Sequence, residues 1–358
     1  MRLPLQVIEP TLEDYSGHCH ALVASLVRAT AGSPIDLWSG EGSEAMALGH
    51  EVTIHPLFRR RHRLLQMLRL LRRLLRGPGR IVVTTARTRD LALLALAAPG
   101  RLPPDRAFLY FHWIRETPGK LRFFRAISRR QPDIVILGTT ESVVDVFRRC
   151  GFAHVALLPY PAPEATLRVE AQPFQRLLYA GAARQDKGFG IVVDLVELLA
   201  ARSEQIPIAV QITPDHYGKY DAATRADIAR LEAVRYPPLA LIRQTPSPSE
   251  YAANFPGSIC LQPYDRAEFR DRVSGVTLDA LAHGCPVVTT AGTWNAAMVE
   301  PFGAGIALAD PDAESVRAAV VVLQADYARY RDGAFAAARA RGRRPWAPLL
   351  ERLGLGAA

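Results

Sequence analysis

The sequence predicts an α/β protein built from two doubly wound domains. The chain has 358 residues and a mass of 39.3 kDa, about twice the usual size of a single domain. Short apolar runs alternate with helix-length segments from one end to the other, as in parallel sheets covered by helices. Between the halves, residues 159–173 contain four prolines, and this segment suits a linker because proline lacks the N–H that a strand needs.

The first half begins with a strand-like run at residues 3–8, followed by a glycine-containing loop and a helix at 19–30. Further apolar runs read as strands at 80–84, 107–111, 134–137 and 155–158. Helix-length segments separate these runs. The order predicts an N-terminal Rossmann-like domain over residues 1–160.

The second half repeats the alternation. Its predicted strands are 177–179, 208–212, 239–242, 259–261 and 286–289, and its predicted helices are 190–202, 222–234, 274–283 and 313–331. We expect a second Rossmann-like domain over residues 174–340 and a C-terminal helix, 341–358, that returns to the first domain. Ligands of open sheets sit beyond the carboxyl ends of the strands, so two such domains that face each other would enclose a cleft lined by strand-to-helix loops.

Composition excludes several classes of protein. Hydrophobic residues make up 49% of the chain and charged residues 22%, and no apolar run reaches the roughly 18 residues that span a bilayer. The N-terminus has no signal-peptide pattern, so we expect a cytoplasmic protein. The four cysteines are far apart in apolar surroundings, which favours buried, reduced thiols over a disulfide framework or a metal cluster.

The net positive charge of the chain comes from the first half. Residues 1–170 contain 24 Lys and Arg against 15 Asp and Glu, whereas residues 171–358 contain 20 of each. Only three lysines occur in the chain, at positions 120, 187 and 219. A lysine in a loop that follows a strand therefore stands out.

Such a lysine lies in the segment from Tyr179 to Phe189, which follows the first strand of the second half and opens a helix. Small residues, including Gly181, precede Arg184 and Lys187. Small residues allow close approach, and two cations before a helix N-terminus suit a diphosphate. A solvated basic loop is the alternative. The strand-to-helix position favours diphosphate binding.

The stretch from Asp271 to Thr290 has the most specific pattern. Ser274 suits a helix N-cap, Gly284 a helix end, and Pro286 the start of a strand. The backbone N–H groups of residues 274–276 (Ser274, Gly275 and Val276) would then be available to an anion. Asp271 and Asp279 are eight residues apart and could meet a sugar and a ribose diol. Capping and a solvated helix face are the alternative roles.

Both stretches, in this order and about 85 residues apart, resemble the C-terminal half of GT-B glycosyltransferases, most closely those of the retaining family 4. The segment Ala280-Leu-Ala282-His-Gly284-Cys-Pro286-Val-Val288 matches the end of that family's motif, and the resemblance continues through Gly303-Ala-Gly305 and Asp310-Pro-Asp312. It implies that Arg184 and Lys187 hold the donor diphosphate as part of the catalytic machinery, that Asp271 contacts the transferred sugar, and that Asp279 contacts the ribose.

The chain departs from the family pattern at three places. Aspartates stand where the family has two glutamates. Arg272 precedes Ser274, where small or aromatic residues are commoner, and could add a phosphate contact. The loop Ala291-Gly-Thr-Trp-Asn295 lacks the usual carboxylate.

In the first half the resemblance to these glycosyltransferases rests only on where residues stand relative to the predicted strands. Ser16, Gly17 and His18 follow the first strand, where these enzymes place a glycine loop near donor phosphate and acceptor. His112 and Trp113 follow the strand 107–111. Retaining members have a catalytic histidine at a comparable strand end, facing the sugar. Glu116, on the same acceptor side, would be the general base if the reaction inverted configuration.

Residues 58–76 predict a basic amphipathic helix. Leucines 64, 65, 68, 71 and 75 fall on one face, arginines 69, 72, 73 and 76 fall on another, and no acidic residue lies between Glu51 and Asp90. Such a helix suits an anionic membrane surface. A solvated domain helix and nucleic-acid binding are the alternatives, but no aromatic residues interleave the arginines and we expect no nucleic-acid partner.

Together these features predict a glycosyltransferase that moves a sugar from a nucleotide diphosphate sugar to a saccharide or lipid-linked acceptor. We expect it on the inner face of a bacterial membrane, in polysaccharide or lipopolysaccharide biosynthesis. We expect retention of configuration, no metal and no cofactor, and we interpret Asp310-Pro-Asp312 as a turn. The alternatives are a catalytically decayed protein that binds a membrane or nucleic acid, and a sugar-nucleotide epimerase or phosphorylase of the same architecture.

Overall fold

The structure is a computed structural model that describes residues 3–14, 17–30, 32–43, 46, 48–49, 51–161, 171–215, 218, 220–341 and 345–355, without the side chains of Gly17 and His18. The chain forms two compact units. The first comprises Met1–Pro161 together with Arg344–Ala358, and the second comprises Ala162–Arg343. Most of the predicted linker, residues 162–170, lies outside the described residues.

A parallel sheet forms the centre of the first unit. Its described strands are β1 (Leu5–Glu9), β2 (Ile35–Gly40), β3 (Val52–Phe58), β4 (Ile81–Val83), β5 (Ala107–Phe111), β6 (Val135–Gly138) and β7 (His154–Leu157). The strand order is β3-β2-β1-β4-β5-β6-β7, and every pairing is parallel. β1, β4, β5 and β6 are buried along their length, as expected for a parallel sheet covered on both faces.

Helices connect most of these strands. They are α1 (Gly17–Ala29), α2 (Arg63–Arg76), α3 (Thr88–Ala97), α4 (Pro118–Arg130) and α5 (Glu141–Arg149). Aromatic rings join α4 and α5 to the sheet: the Phe147 ring lies 4.6 Å from that of Phe111 and 4.9 Å from that of Phe124. Rings at these separations contribute contact energy beyond the area that they bury.

The second unit has the same organisation. Its described strands are β8 (Arg176–Tyr179), β9 (Ile208–Gln211), β10 (Leu239–Ile242), β11 (Ser258–Gln262), β12 (Val287–Thr290) and β13 (Gly305–Leu308), paired in parallel in the order β10-β9-β8-β11-β12-β13. Its helices are α6 (Phe189–Ala201), α7 (Ala222–Ala233), α8 (Pro248–Ala253), α9 (Arg266–Phe269), α10 (Gly275–Ala282), α11 (Trp294–Val299), α12 (Ala313–Ala325) and α13 (Tyr327–Arg341). The predicted α/β class with two doubly wound sheets is confirmed.

The last described segment belongs to the first unit. It contains the short helix α14 (Ala347–Arg352). Just before this helix, Trp346 Nε1 donates to Ser25 Oγ at 3.0 Å, and within it Arg352 Nη1 donates to Asp105 Oδ1 at 2.8 Å. These bonds tie the segment to α1 and to the loop before β5.

The sequence prediction missed three strands, β2, β3 and β13. β3 contains Pro56, which argues against a central strand, but β3 is the edge strand of its sheet, where a missing N–H is tolerated. β13 is also an edge strand and has only four residues. Its sequence, Gly305-Ile-Ala-Leu308, contains glycine and alanine, which are depleted in strands, so its signal is weak.

Two predicted helices differ in the structure. The helix predicted over 58–76 begins at Arg63, because Phe58 ends β3. Leu71 is buried together with Met67 and Leu70, whereas Leu64 and Leu65 in the first turn are 48% and 49% exposed, and the helical period places Leu65 with the arginines rather than with the other leucines. The helix predicted over 313–331 is broken at Asp326, whose φ of −136° and ψ of 45° end α12 before α13 begins.

In each sheet the strand order reverses between two adjacent central strands. The pairs are β1 with β4 and β8 with β11. Open α/β sheets bind ligands outside the carboxyl ends of strands at such a switch point. The residues that follow Glu9, Val83, Tyr179 and Gln262 therefore lie where each unit would hold a ligand.

Candidate functional site

The loop after β8 is shaped by two glycines in left-handed conformations. Gly181 has φ 94° and Gly188 has φ 67°. A Cβ on Gly188 would lie 2.1 Å from the carbonyl oxygen of Pro263, which directly follows β11. Only glycine permits this approach, and it brings the loops after the two switch-point strands into contact.

Three cations lie around one carboxylate in these loops. Asp186 forms an ion pair with Arg184, and Arg272 Nη1 lies 3.5 Å from Asp186 Oδ2. The ammonium of Lys187 lies 5.8 Å from the centre of the Tyr264 ring. Burial lowers the pKa of Lys187 to about 8, and the positive charges of Arg184 and Arg272 act in the same direction. Asp186, together with Glu268 whose charge also acts on Arg272, does not balance three cations, and the excess positive charge suits an anionic ligand.

The N-terminus of α10 adjoins these cations. Ser274 is the N-cap, and its side chain accepts from the backbone N–H of Thr277 at 3.3 Å. The N–H groups of Gly275 and Val276 belong to the first helical turn, whose donors have no partner within the helix. A Cβ on Gly181 would lie 3.1 Å from Lys187 Nζ and 3.4 Å from Val276 Cγ2. The structure thus brings the two motifs, predicted separately from the sequence, to one place.

The two aspartates have different surroundings. Asp271 lies in the loop between α9 and α10, its side chain is 33% exposed, and its Oδ2 lies 3.2 Å from Arg270 Nε. Asp279 lies within α10 and accepts from the hydroxyl of Tyr251 at 3.2 Å. Burial raises the pKa of Asp279 to about 7, although the Tyr251 hydrogen bond opposes the shift. Asp279 can therefore change charge near neutral pH.

Sequence reasoning missed the side chains that support α10. Gln262, at the end of β11, accepts from the Thr277 hydroxyl at 2.6 Å and from the Asn295 amide at 3.0 Å. All three side chains are buried. The sequence predicts Asn295 in a loop that lacks the usual carboxylate, but it lies in the first turn of α11, and its side chain points to Gln262 at the end of β11. No local pattern identifies Gln262 or Tyr251, because their partners lie 15 to 33 residues away in the sequence.

In the first unit, His112 lies just beyond the carboxyl end of β5. Its Nε2 lies 2.9 Å from the carbonyl oxygen of Thr84, and the rings of Tyr110 and Tyr160 contact the imidazole edge to face at 4.6 and 5.3 Å. Trp113 is 37% exposed. Glu116, on the same loop, forms an exposed ion pair with Arg149 at 2.9 Å.

The remaining predicted acceptor residues lie after β1. Gly17 and His18 are in the first turn of α1, and Ser16 lies outside the described residues. All four cysteines are free thiols, and Cys150, Cys260 and Cys285 are buried as predicted, whereas Cys19 is only partly buried. Burial, followed by the charge of Glu9, raises the pKa of Cys19 to about 12.

Two further features concern metals and membranes. Within the described ranges, no group of three or more His, Cys, Asp or Glu side chains could hold a metal ion. Asp312, in the Asp-Pro-Asp segment that the sequence predicts to be a turn, caps α12 by accepting from the Ser315 N–H at 2.8 Å. In the same described part of the chain, no helix has the length and apolarity needed to cross a bilayer.

Comparison with solved structures shows the fold. Sucrose-phosphate synthase from Thermosynechococcus elongatus matches with a TM-score of 0.71 and 16% identity, over 99% of this chain and 98% of that one. HepE from Anabaena, in complex with UDP-glucose, matches with a TM-score of 0.69 and 12% identity over 99% of both chains. An α,α-trehalose-phosphate synthase (UDP-forming) from Burkholderia vietnamiensis matches with a TM-score of 0.68 and 14% identity over 98% of both.

The chain has the GT-B fold. The likeness extends over nearly the whole chain in each of these matches, and it confirms the fold that the sequence motifs predicted. No family model matches the sequence, and neither does any curated protein. At 12–16% identity the comparison establishes the fold alone, and a fold hosts many activities.

Proposed function

We propose that the protein is a glycosyltransferase that takes a sugar from a nucleoside diphosphate sugar. The observation that carries this proposal is the group of Arg184, Lys187 and Arg272 beside the N-terminus of α10, at the switch point of the second sheet. Such a site suits a diphosphate. Structures with the same fold include HepE in complex with UDP-glucose and with UDP and glucose.

The site supplies what the leaving diphosphate needs. As the bond from sugar to phosphate breaks, negative charge develops on the phosphate oxygens, and preorganised cations and backbone N–H groups stabilise that charge. Lys187, Arg184 and Gly275 would take this role, which a divalent metal takes in other enzymes. Asp279 would accept hydrogen bonds from the ribose hydroxyls, and Asp271 would contact the transferred sugar.

We further propose that transfer retains the anomeric configuration and that His112 acts in it. One structure of similar fold, trehalose-6-phosphate synthase, is described in terms of glycosyl transfer with retention. Glu116 is the general base to test if configuration is inverted. Its carboxylate is exposed and forms an ion pair with Arg149, an arrangement that does not favour a role as general base.

The test is release of nucleoside diphosphate from UDP-, GDP- and ADP-sugars by the purified protein, with and without EDTA, and with NMR of the anomeric product. We expect one nucleotide class to be turned over at an equal rate in EDTA, with retention. Failure of all three classes to bind or react would contradict the proposed function. Loss of activity in EDTA with recovery in magnesium would contradict metal independence, and an inverted product would contradict retention.

For the acceptor we propose a saccharide or lipid-linked saccharide at an anionic bacterial membrane, as in polysaccharide or lipopolysaccharide biosynthesis. The support is the outer surface of α2, where Arg69, Arg72 and Arg76 are exposed beside Leu64 and Leu65. Basic residues near anionic headgroups contribute about 1 kcal/mol each. Inserted leucine side chains would add a hydrophobic contribution that persists at high salt.

We expect the protein to sediment with anionic vesicles, and the variant with Arg69, Arg72, Arg73 and Arg76 all changed to Gln to lose most of this binding at low salt. A matched variant removes the same charge from α4 of the same unit, at Arg122, Arg125, Arg129 and Arg130, which are all exposed. It should keep the binding.

Salt separates the two contributions to binding, because near 1 M the Debye length falls to roughly 3 Å and only the leucine contribution persists. Equal sedimentation of wild type and the α2 variant would contradict docking through α2. DNA binding as tight as vesicle binding would favour a nucleic-acid partner instead.

A further inference from the structure

The carboxyl group of Glu9 lies at the switch point of the first sheet, where β1 ends beside β4. Its side chain is 0% exposed. A fully buried carboxyl is costly unless its oxygens accept hydrogen bonds, and here both do. Oε2 accepts from the Thr84 hydroxyl at 2.7 Å, and Oε1 accepts from the Thr85 hydroxyl at 2.8 Å. The backbone N–H of Thr11, 3.2 Å away, and the Thr11 hydroxyl also donate to Oε1.

The two threonines that Glu9 holds flank a single peptide group. Thr84 and Thr85 immediately follow β4, and the peptide between them carries the carbonyl oxygen of Thr84. One oxygen of Glu9 fixes the residue before this peptide, and the other fixes the residue after it. The N–H of Thr84 is also bonded, to the carbonyl of Ile8 at 3.2 Å. Hydrogen bonds on both sides of the peptide therefore fix the orientation of the Thr84 carbonyl group.

The Thr84 carbonyl oxygen is the hydrogen-bond partner of the His112 imidazole. The His112 Nε2 lies 2.9 Å from it, and because a carbonyl oxygen can only accept, Nε2 must carry a proton. In the neutral imidazole, Nδ1 is then the nitrogen that can accept. The His112 backbone is fixed as well, because the Thr139 hydroxyl donates to its carbonyl oxygen at 2.7 Å.

We propose that Glu9 is a positioning residue whose carboxylate clamps the Thr84–Thr85 peptide and thereby holds His112 in its orientation and tautomer. The part of this inference that concerns turnover rests on the proposed function, in which His112 acts in sugar transfer. The part that concerns the imidazole does not. Similar hydrogen bonds fix the tautomer of histidines in enzymes and metal sites.

The test uses the full chain labelled with ¹⁵N and long-range proton–nitrogen correlation of the histidine rings, with His112 assigned by its loss in His112→Gln. We expect His112 in the wild type to be the Nε2–H tautomer, and Glu9→Gln and the Thr84→Val, Thr85→Val double variant to give mixed tautomers. In kinetics, kcat should fall about tenfold, the effect of one lost hydrogen bond, while KM for the donor changes less than about twofold.

Two variants serve as controls. The Thr84→Ser, Thr85→Ser double variant keeps both hydroxyls and should show the same His112 tautomer as the wild type. Thr30→Val removes another buried threonine hydroxyl of the same unit, one that donates to Leu26 O at 2.9 Å, and should leave the His112 signals unchanged.

Several outcomes would contradict the proposal that Glu9 positions His112. An Nδ1–H tautomer in the wild type would do so without any variant, and this measurement applies even if Glu9→Gln fails to fold. Unchanged His112 signals in folded Glu9→Gln and in the double valine variant would do so too. If the wild type turned over no nucleotide sugar, the proposed function would fail, while the ring signals would still decide whether Glu9 holds His112.

Discussion

Replacing Lys187 with alanine is expected to weaken binding of a nucleoside diphosphate about ten- to hundredfold and to abolish most turnover, with the fold intact. The ammonium lies against Gly181 and beside Val276 at the start of α10, where a diphosphate would meet it. A hydrogen bond to a charged group contributes about 1.5–3 kcal/mol, which corresponds to this loss. Arg184→Ala should behave similarly, and isothermal calorimetry with UDP, GDP and ADP measures both.

The pH dependence gives this prediction a second readout. With a pKa of about 8 in the free protein, Lys187 is charged below that pH and loses its charge above it. The affinity difference between wild type and Lys187→Ala should be largest below pH 8 and should narrow as the pH rises further. A bound anion stabilises the charged form and raises its pKa, so the narrowing begins near pH 8 and continues up to the higher pKa of the bound state.

Arg202→Ala is the matched control, because Arg202 forms an exposed ion pair with Glu314 in the same unit. Exposed pairs of this kind contribute little, and the control should keep wild-type affinity. Unchanged diphosphate affinity in both Lys187→Ala and Arg184→Ala would show that the ligand binds elsewhere.

Asp271→Asn and Asp279→Asn are expected to separate turnover from nucleotide binding. A group that contacts the transferred sugar acts on the transition state of the intact donor, whereas a group on the ribose acts wherever the nucleotide binds. Asp271→Asn should therefore lower kcat about tenfold or more and leave the Kd for free nucleoside diphosphate within about twofold. Asp279→Asn should weaken free nucleotide and intact donor alike, by about tenfold.

Titration of Asp279 adds a signature of its own. Its pKa of about 7 is raised, so the carboxyl is neutral below that pH and charged above it. Ribose hydroxyls donate more strongly to the charged form, and the contribution of Asp279 to affinity should grow as the pH rises through 7. Because a terminal phosphate itself titrates near pH 6, the readout is the difference between wild type and Asp279→Asn.

The control for both variants is Asp194→Asn, which alters an exposed carboxylate paired with Arg230 in the same unit. This control should change neither kcat nor the Kd for free nucleoside diphosphate. If Asp271→Asn lost affinity for free nucleotide while Asp279→Asn kept it, the two roles would have to be exchanged.

The amino-acid sequence by itself determined the two-sheet architecture and the segments that form the candidate donor site. The signals are local: apolar runs mark buried parallel strands, Gly284 marks a helix end and has a left-handed φ of 67°, and Ser274 marks the start of a helix. Each can be read within about ten residues of chain. The same local signals placed His112 at the end of a strand.

Only the tertiary structure decided which of these residues meet and what supports them. Asp186 is an ordinary loop residue in the sequence, yet it pairs with Arg272, 86 positions away. Glu9 reads as the polar end of a strand, and its role depends on hydroxyls 75 and 76 residues further on. Tyr251 and Gln262 gain their partners in the same way. The physical reason is that a hydrogen bond or ion pair depends on distance in space, which the order of strands in each sheet sets and which no local pattern encodes.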